Sequence, residues 1–200
     1  MILLLAVIAA IILALVRGGR FSALVNVPVR WGVLPILAFA IQALFIYQAP
    51  LRKDAGLWSW QEWLFLSSHA LLLVTVWVNR RLPGVLWIGV GLLLNLAVMI
   101  ANGGWMPIAP AAVLQAGYSD LAPSLEPGTR LYSSKNIVLP PEGTALRFLS
   151  DVFILARPFP VPSVFSIGDV FVAMGVLLLI QSAMLGPSAN RVTRGPIHSR

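Results

Sequence analysis

The chain has 200 residues, is 58% hydrophobic and only 10% charged, has a mean hydropathy of +0.88, and carries 14 Lys and Arg against 7 Asp and Glu with no cysteine. An ordinary soluble domain is about 45–50% apolar and about 25% charged, so this composition argues against a soluble enzyme, and the missing cysteines exclude a disulfide scaffold, a thiolate metal site and a cysteine nucleophile. The net charge of +7 is spread over the ends of apolar runs, the pattern that orients a membrane protein rather than a basic face, and no nucleic-acid partner is expected.

Residues 1–16, MILLLAVIAAIILALV, are apolar throughout and are followed by Arg17 and Arg20. A secretory signal carries its positive charge before the apolar stretch and a small-residue cleavage site after it, so this run is expected to be retained as a transmembrane helix. Its rise of about 24 Å falls short of a hydrocarbon core of about 30 Å, and Gly18 and Gly19 would extend it. The runs 31–49, 63–78 and 84–101, free of Asp, Glu, Lys and Arg, predict three more spans, and 167–186 predicts a fifth. The seven Trp fall near run ends, where an indole suits the headgroup layer. Alternate loops hold eight Arg on one side against Arg52 and Lys53 on the other once the long loop is set aside, which places the N-terminus outside and the C-terminus in the cytoplasm of a multi-pass protein of the cell membrane.

The long loop, residues 102–166, holds nine of the fifteen prolines and Asp120, Glu126, Glu142 and Asp151. A loop of this length in a compact protein is expected to be ordered and functional. Pro110 followed by AAVLQAG predicts a short helix closed by Gly117, KNIVLPP an extended piece, and PFPVP (158–162) a polyproline II segment. The basic tail 187–200 suits anionic headgroups. The expected fold is therefore an all-α membrane protein of one domain: five transmembrane helices with a proline-rich, partly ordered outer loop between the fourth and fifth, and the lipid bilayer as partner.

Asp151 and Asp169 form the first candidate site. Asp169 opens the last apolar run, and the intervening PFPVP can turn the chain back so that two carboxylates face each other. Like charges held close in a low-dielectric site share a proton and can activate a water. Each aspartate also has a structural reading. Ser166 and Asp169 have the spacing of a capping box, and Arg147, four residues before Asp151, can pair with it on a helix. Arg before Asp is the weaker order for such a pair, which favours facing aspartates that titrate as a coupled unit. Asn102 and Ser166 are candidate orienting groups, Asn102 alternatively belonging to a helix terminator with Gly103 and Gly104. His69, Gln42 and Asn95 are the deepest polar groups of the runs and are expected to bond between helices. No metal or cofactor site is expected, since His69 has no companion ligand.

Residues 147–181, with SDVF around Asp151 and FSIGD ending at Asp169, resemble the C-terminal part of signal peptidase II, whose catalytic dyad is a pair of aspartates so placed. That family has asparagine where this chain has Ser166, its GNxxDR motif is echoed here only by Asn95, and it has four helices. The pieces NGGWMP (102–107) and PFPVPSVFSIGD (158–169) resemble an uncharacterised family of small bacterial integral membrane proteins, a domain of unknown function. The resemblances imply an intramembrane aspartyl hydrolase with Asp151 and Asp169 as dyad, acting at the outer face on membrane-anchored or lipidated peptides. The alternatives are a non-catalytic membrane scaffold or accessory subunit and, with only His69 ionisable inside the runs, a small transporter.

Overall fold

The computed structural model describes residues 2–46, 60–131 and 134–186. The end of the 31–49 run, Arg52, Lys53, Trp58 and the basic tail 187–200 lie outside the described residues. The apolar runs fold as α1 (Ile2–Val16), α2 (Val33–Ile46), α3 (Trp60–Asn79), α4 (Val85–Ala101) and α6 (Ile167–Leu185). Side by side, α2 packs on α3, α3 on α4, α4 on α6 and α6 on α1.

Helix length corrects the expectation of five spans. With 15 and 17 residues, α1 and α4 rise about 22 and 26 Å, short of a hydrocarbon core of about 30 Å. Among the described residues only α3, with 20 residues, and α6, with 19, are long and apolar enough to cross a membrane, and the core helices of a globular bundle meet the same test. The bundle is instead knitted by buried and half-buried polar contacts. Gln42 Nε2 of α2 donates to Ser68 Oγ of α3 at 3.0 Å, Asn79 holds the backbone of Arg30, and Asn95 of α4 bonds to α6. This packing does not support the multi-pass topology, the cell-membrane location or the bilayer as partner. The expectation of an all-α chain is corrected as well, because the 102–166 segment contains two short sheets.

The tightest helix contact is between α4 and α6, and it depends on glycine. Gly84 and Gly91 stand seven residues apart on one helix edge, opposite Gly175 and Gly168, also seven apart. A Cβ at Gly91 would overlap the Gly168 carbonyl and lie 2.7 Å from Val172 Cγ2. Backbone atoms cannot move aside as a side chain can, so Gly91→Ala is expected to cost about 1–3 kcal/mol or more. Gly32→Ala, where nothing lies within 4 Å, should be near neutral. Thermal unfolding of the two variants checks this, and equal melting temperatures would reject the close packing.

The segment 102–165 folds as a cap over the end of the bundle where α4 finishes and α6 begins. Helix α4 ends in a Schellman-type turn, with the Gly104 N–H on the Met99 carbonyl at 2.8 Å and Gly104 at φ +92°. Strand β1 (Met106–Ile108) pairs in parallel with β2 (Asn136–Val138), and Asp151 bridges to Ile108 beside it. Helix α5 (Pro110–Gln115) has Pro at its first turn, and Gly117 follows at φ +96°. The PFPVP stretch is the turn of a hairpin rather than a free polyproline segment: β3 (Phe153–Leu155) pairs antiparallel with β4 (Ser163–Phe165), and Arg157–Pro158 is cis. Ile108, Val113, Leu131 and Val138 fill the cap's core, while Phe65, Val98, Met99, Trp105 and Met106 join cap to bundle.

Candidate functional site

The aspartates are brought to one place, by different elements. Asp169 sits at the third position of α6, where Ser166 caps the helix: Ser166 Oγ accepts the Asp169 N–H at 3.0 Å and Asp169 Oδ2 accepts the Ser166 N–H at 3.3 Å. This satisfies two end donors of the helix and places a carboxylate at its positive end. Asn95 closes the arrangement from α4, donating through Nδ2 to Asp169 Oδ1 at 2.9 Å and accepting the Ser166 hydroxyl on Oδ1 at 2.7 Å. The glycine at 168 is what lets Asn95 in, since a Cβ there would lie 2.7 Å from the Asn95 amide carbon. Asp151, 2% exposed, follows a 3-10 turn and is held by its N–H on the Pro107 carbonyl and by Asn136 Nδ2 on its Oδ2 at 2.7 Å.

Between the two carboxylates lies the ammonium of Lys135. Its Nζ is 3.3 Å from Asp169 Oδ2, 3.4 Å from Asp169 Oδ1 and 3.9 Å from Asp151 Oδ1. This overturns the facing dyad: where a hydrolase would hold a shared proton and a water, the chain holds a cation. The alternative pair is overturned too, for the 3-10 turn at 147–149 turns Arg147 outward, exposed, and Asp151 pairs with Lys135. Asn102 does not join the cluster. Its side chain donates to the carbonyls of Val98 and Ala145 and accepts the Ala145 N–H at 2.9 Å, tying the cap to the end of α4.

Two carboxylates and one ammonium leave the cluster one negative charge in excess when both acids are ionised. Burial pushes the Asp151 carboxyl up to about 6 with help from Asp169, against the opposing pull of Lys135 and the Asn136 hydrogen bond. Asp169 is held below the usual carboxylate range: burial raises it, but Lys135, Asn95 and the Ser166 N–H together outweigh burial. For Lys135 burial favours the neutral form, and the two aspartates overcome it and raise its value. Asp151 Oδ1 is buried with no hydrogen bond in the structure. Ser166, with its hydroxyl already bonded to Asn95 and the Asp169 N–H, has no base to activate it. Among the described residues no group of three His, Asp or Glu is placed to hold a metal.

A second polar group adjoins the first. Trp105, expected at a headgroup layer, is 4% exposed; it donates to Glu62 Oε1 at 3.0 Å, stacks on Phe65 and lies under the Arg130 guanidinium at 4.1 Å. His69 is buried against Phe65, with Nδ1 3.1 Å from the Phe65 carbonyl. Burial, and secondarily the Lys135 charge, lower its pKa against the Phe65 hydrogen bond.

Fold and site together define a helical bundle with an ordered cap seated on a buried, Lys-centred charge cluster. The profile of a family of unknown function (DUF5317) matches residues 26–181, and the chain belongs to that family. No curated protein and no solved structure matches it. Membership carries no peptidase chemistry, and with Lys135 between the aspartates the resemblance to signal peptidase II is corrected.

Proposed function

We propose that the chain is a non-catalytic module whose cap changes its seating on the bundle as the Lys135 cluster takes up or releases one proton. The observation that carries this reading is the sharing of one ammonium by two buried carboxylates that come from separate segments, Asp151 in the cap and Asp169 in α6. With Asp151 ionised, Lys135 is divided between them. With Asp151 protonated, Lys135 belongs to Asp169 alone, a neutral pair, and residue 151 is held by its hydrogen bonds to Asn136 and Pro107. The groups that set this balance are Lys135 and Asn136 from the cap, Asp169 from α6, and His69 of α3, whose pKa the Lys135 charge helps to lower.

The Asp151 value of about 6 supports the reading, because it puts the exchange near neutrality. Infrared spectroscopy should show one carboxyl losing its proton between about pH 5 and 7, absent in Asp151→Asn. Across the same range, hydrogen exchange at Met106 and Asp151, whose amides pair within the cap on Lys135 and Pro107, should change beyond the intrinsic pH effect in the wild type only. Equal pH dependence in Asp151→Asn and wild type would reject the proposal.

A further inference from the structure

The opposite end of the bundle holds a cavity of about 740 Å³ between the end of α1, the turn joining α3 to α4 and the last turns of α6. Its volume lies in the range of small-molecule sites. Arg17 and Arg20 line one side, and Leu82, Leu179 and Met184 supply an apolar wall, with Ser182 at the rim. Arg17 is oriented by its Nη1 bond to Gln181 Oε1 at 2.8 Å, and the backbone of Arg20 is fixed by its N–H on the Met184 carbonyl at 3.1 Å. The walls belong to the ends of α1 and α6 and to hydrogen-bonded turns.

Charge is distributed unequally between the two ends. Arg80 and Arg81 precede Leu82 directly, and Arg30 is tied through its backbone to Asn79 at the end of α3. Among the described residues no Asp or Glu lines the cavity. Of the acids among the described residues, Glu62 and Asp169 lie in the first turns of α3 and α6, at the far end of those helices, and the other four are in the cap segment. Among the described residues the charged side chains at this end are all basic, while the cavity wall is apolar. Guanidinium groups match the fork of phosphate oxygens, and an apolar wall beside them selects for a hydrocarbon group on the same molecule.

We propose that this cavity binds an amphiphilic phosphate, an ester whose charged head is held by Arg17 and Arg20 and whose apolar chain lies along Leu82, Leu179 and Met184. The site is independent of the Lys135 cluster. Calorimetric titration of the full chain with octyl phosphate, inorganic phosphate and octyl glucoside tests it. Octyl phosphate is expected to bind at least tenfold more tightly than inorganic phosphate, and octyl glucoside not measurably. Binding should weaken as salt rises. Arg20→Gln removes one charge, and Ser182→Glu sets an acid on the rim at an exposed position; each should weaken octyl phosphate about tenfold without altering the melting temperature. Equal binding of inorganic and octyl phosphate would show an ion site with no use of the apolar wall, equal binding of octyl glucoside a greasy cleft without head recognition, and either result overturns the proposal. So does unchanged octyl phosphate affinity in both variants.

Discussion

Lys135→Met should lower the unfolding free energy by about 1–3 kcal/mol at pH 7, less than the loss of one partner from a fully buried ion pair, because the Lys135 side chain is 29% exposed. The substitution keeps the length and apolar stem of the side chain, so what it removes is the charge that Asp151 and Asp169 share at 3.9 and 3.3 Å. The loss has a ceiling, because a buried carboxylate that becomes too costly takes a proton. Protonating a carboxyl of ordinary value 3.8 at pH 7 costs about 4 kcal/mol per group. The sign of the pH dependence follows. Without Lys135 the Asp151 carboxyl, already raised by burial, is raised further, so the stability it governs is highest at acid pH and falls as pH rises through its folded value. The gap to wild type should therefore shrink towards pH 4. Urea unfolding at pH 4.5 and 7.5 measures it. A loss of the same size at both values would mean that Lys135 contributes packing and not charge.

How much of this was readable from the sequence differs between the bundle and the site. The apolar runs gave helix positions because a long apolar stretch without Pro or Gly clusters has few other local solutions. The end of α4 was legible as well, at the close of the 84–101 run, where Gly103 and Gly104 take left-handed backbone; whether a run crosses a bilayer was not, because the core helices of a globular bundle share its length and composition. The capping box at Ser166 and Asp169 was legible because it is local, two residue types at fixed spacing before an apolar run. Lys135 was not. It stands in a proline-rich loop, and its partners Asp151 and Asp169, themselves held by Asn136, Asn95 and Ser166, are brought to it by parallel strand pairing and helix packing that no periodicity announces. A usable signal existed in the charge arithmetic: two aspartates beside apolar segments with Arg147 poorly placed to serve them require another cation, and Lys135 is one of only two lysines in the chain. Trp105 was misplaced for the opposite reason, since the end of an apolar run suits an indole at a boundary and one stacked in a core equally well until Glu62 and Arg130 are seen beside it.

Asp151→Asn is expected to leave the protein about as stable below pH 4 and to raise its stability at pH 8 by on the order of 3 kcal/mol, the equivalent of moving a carboxyl from 3.8 to about 6. A group whose folded value is raised stabilises the fold most below its unfolded value, and that contribution is lost as pH rises through about 6. The wild type therefore loses stability between about pH 4 and 6 and carries the excess negative charge above it. Asp169 works in the other direction: its folded value is depressed, so its contribution is present above the unfolded value and is lost only as pH falls below it. The wild type should then be most stable where Asp169 is ionised and Asp151 is not. In the variant the side-chain carbonyl can still accept from Asn136, as Asp151 Oδ2 does at 2.7 Å, and Lys135 is left to pair with Asp169 alone. Denaturant titrations from pH 4 to 8 should give a sloping curve for wild type and a flat one for the variant. If Asp151→Asn is instead the less stable protein at pH 8, the ionised carboxylate is a net asset to the Lys135 cluster, and the cluster holds no exchangeable proton near neutrality.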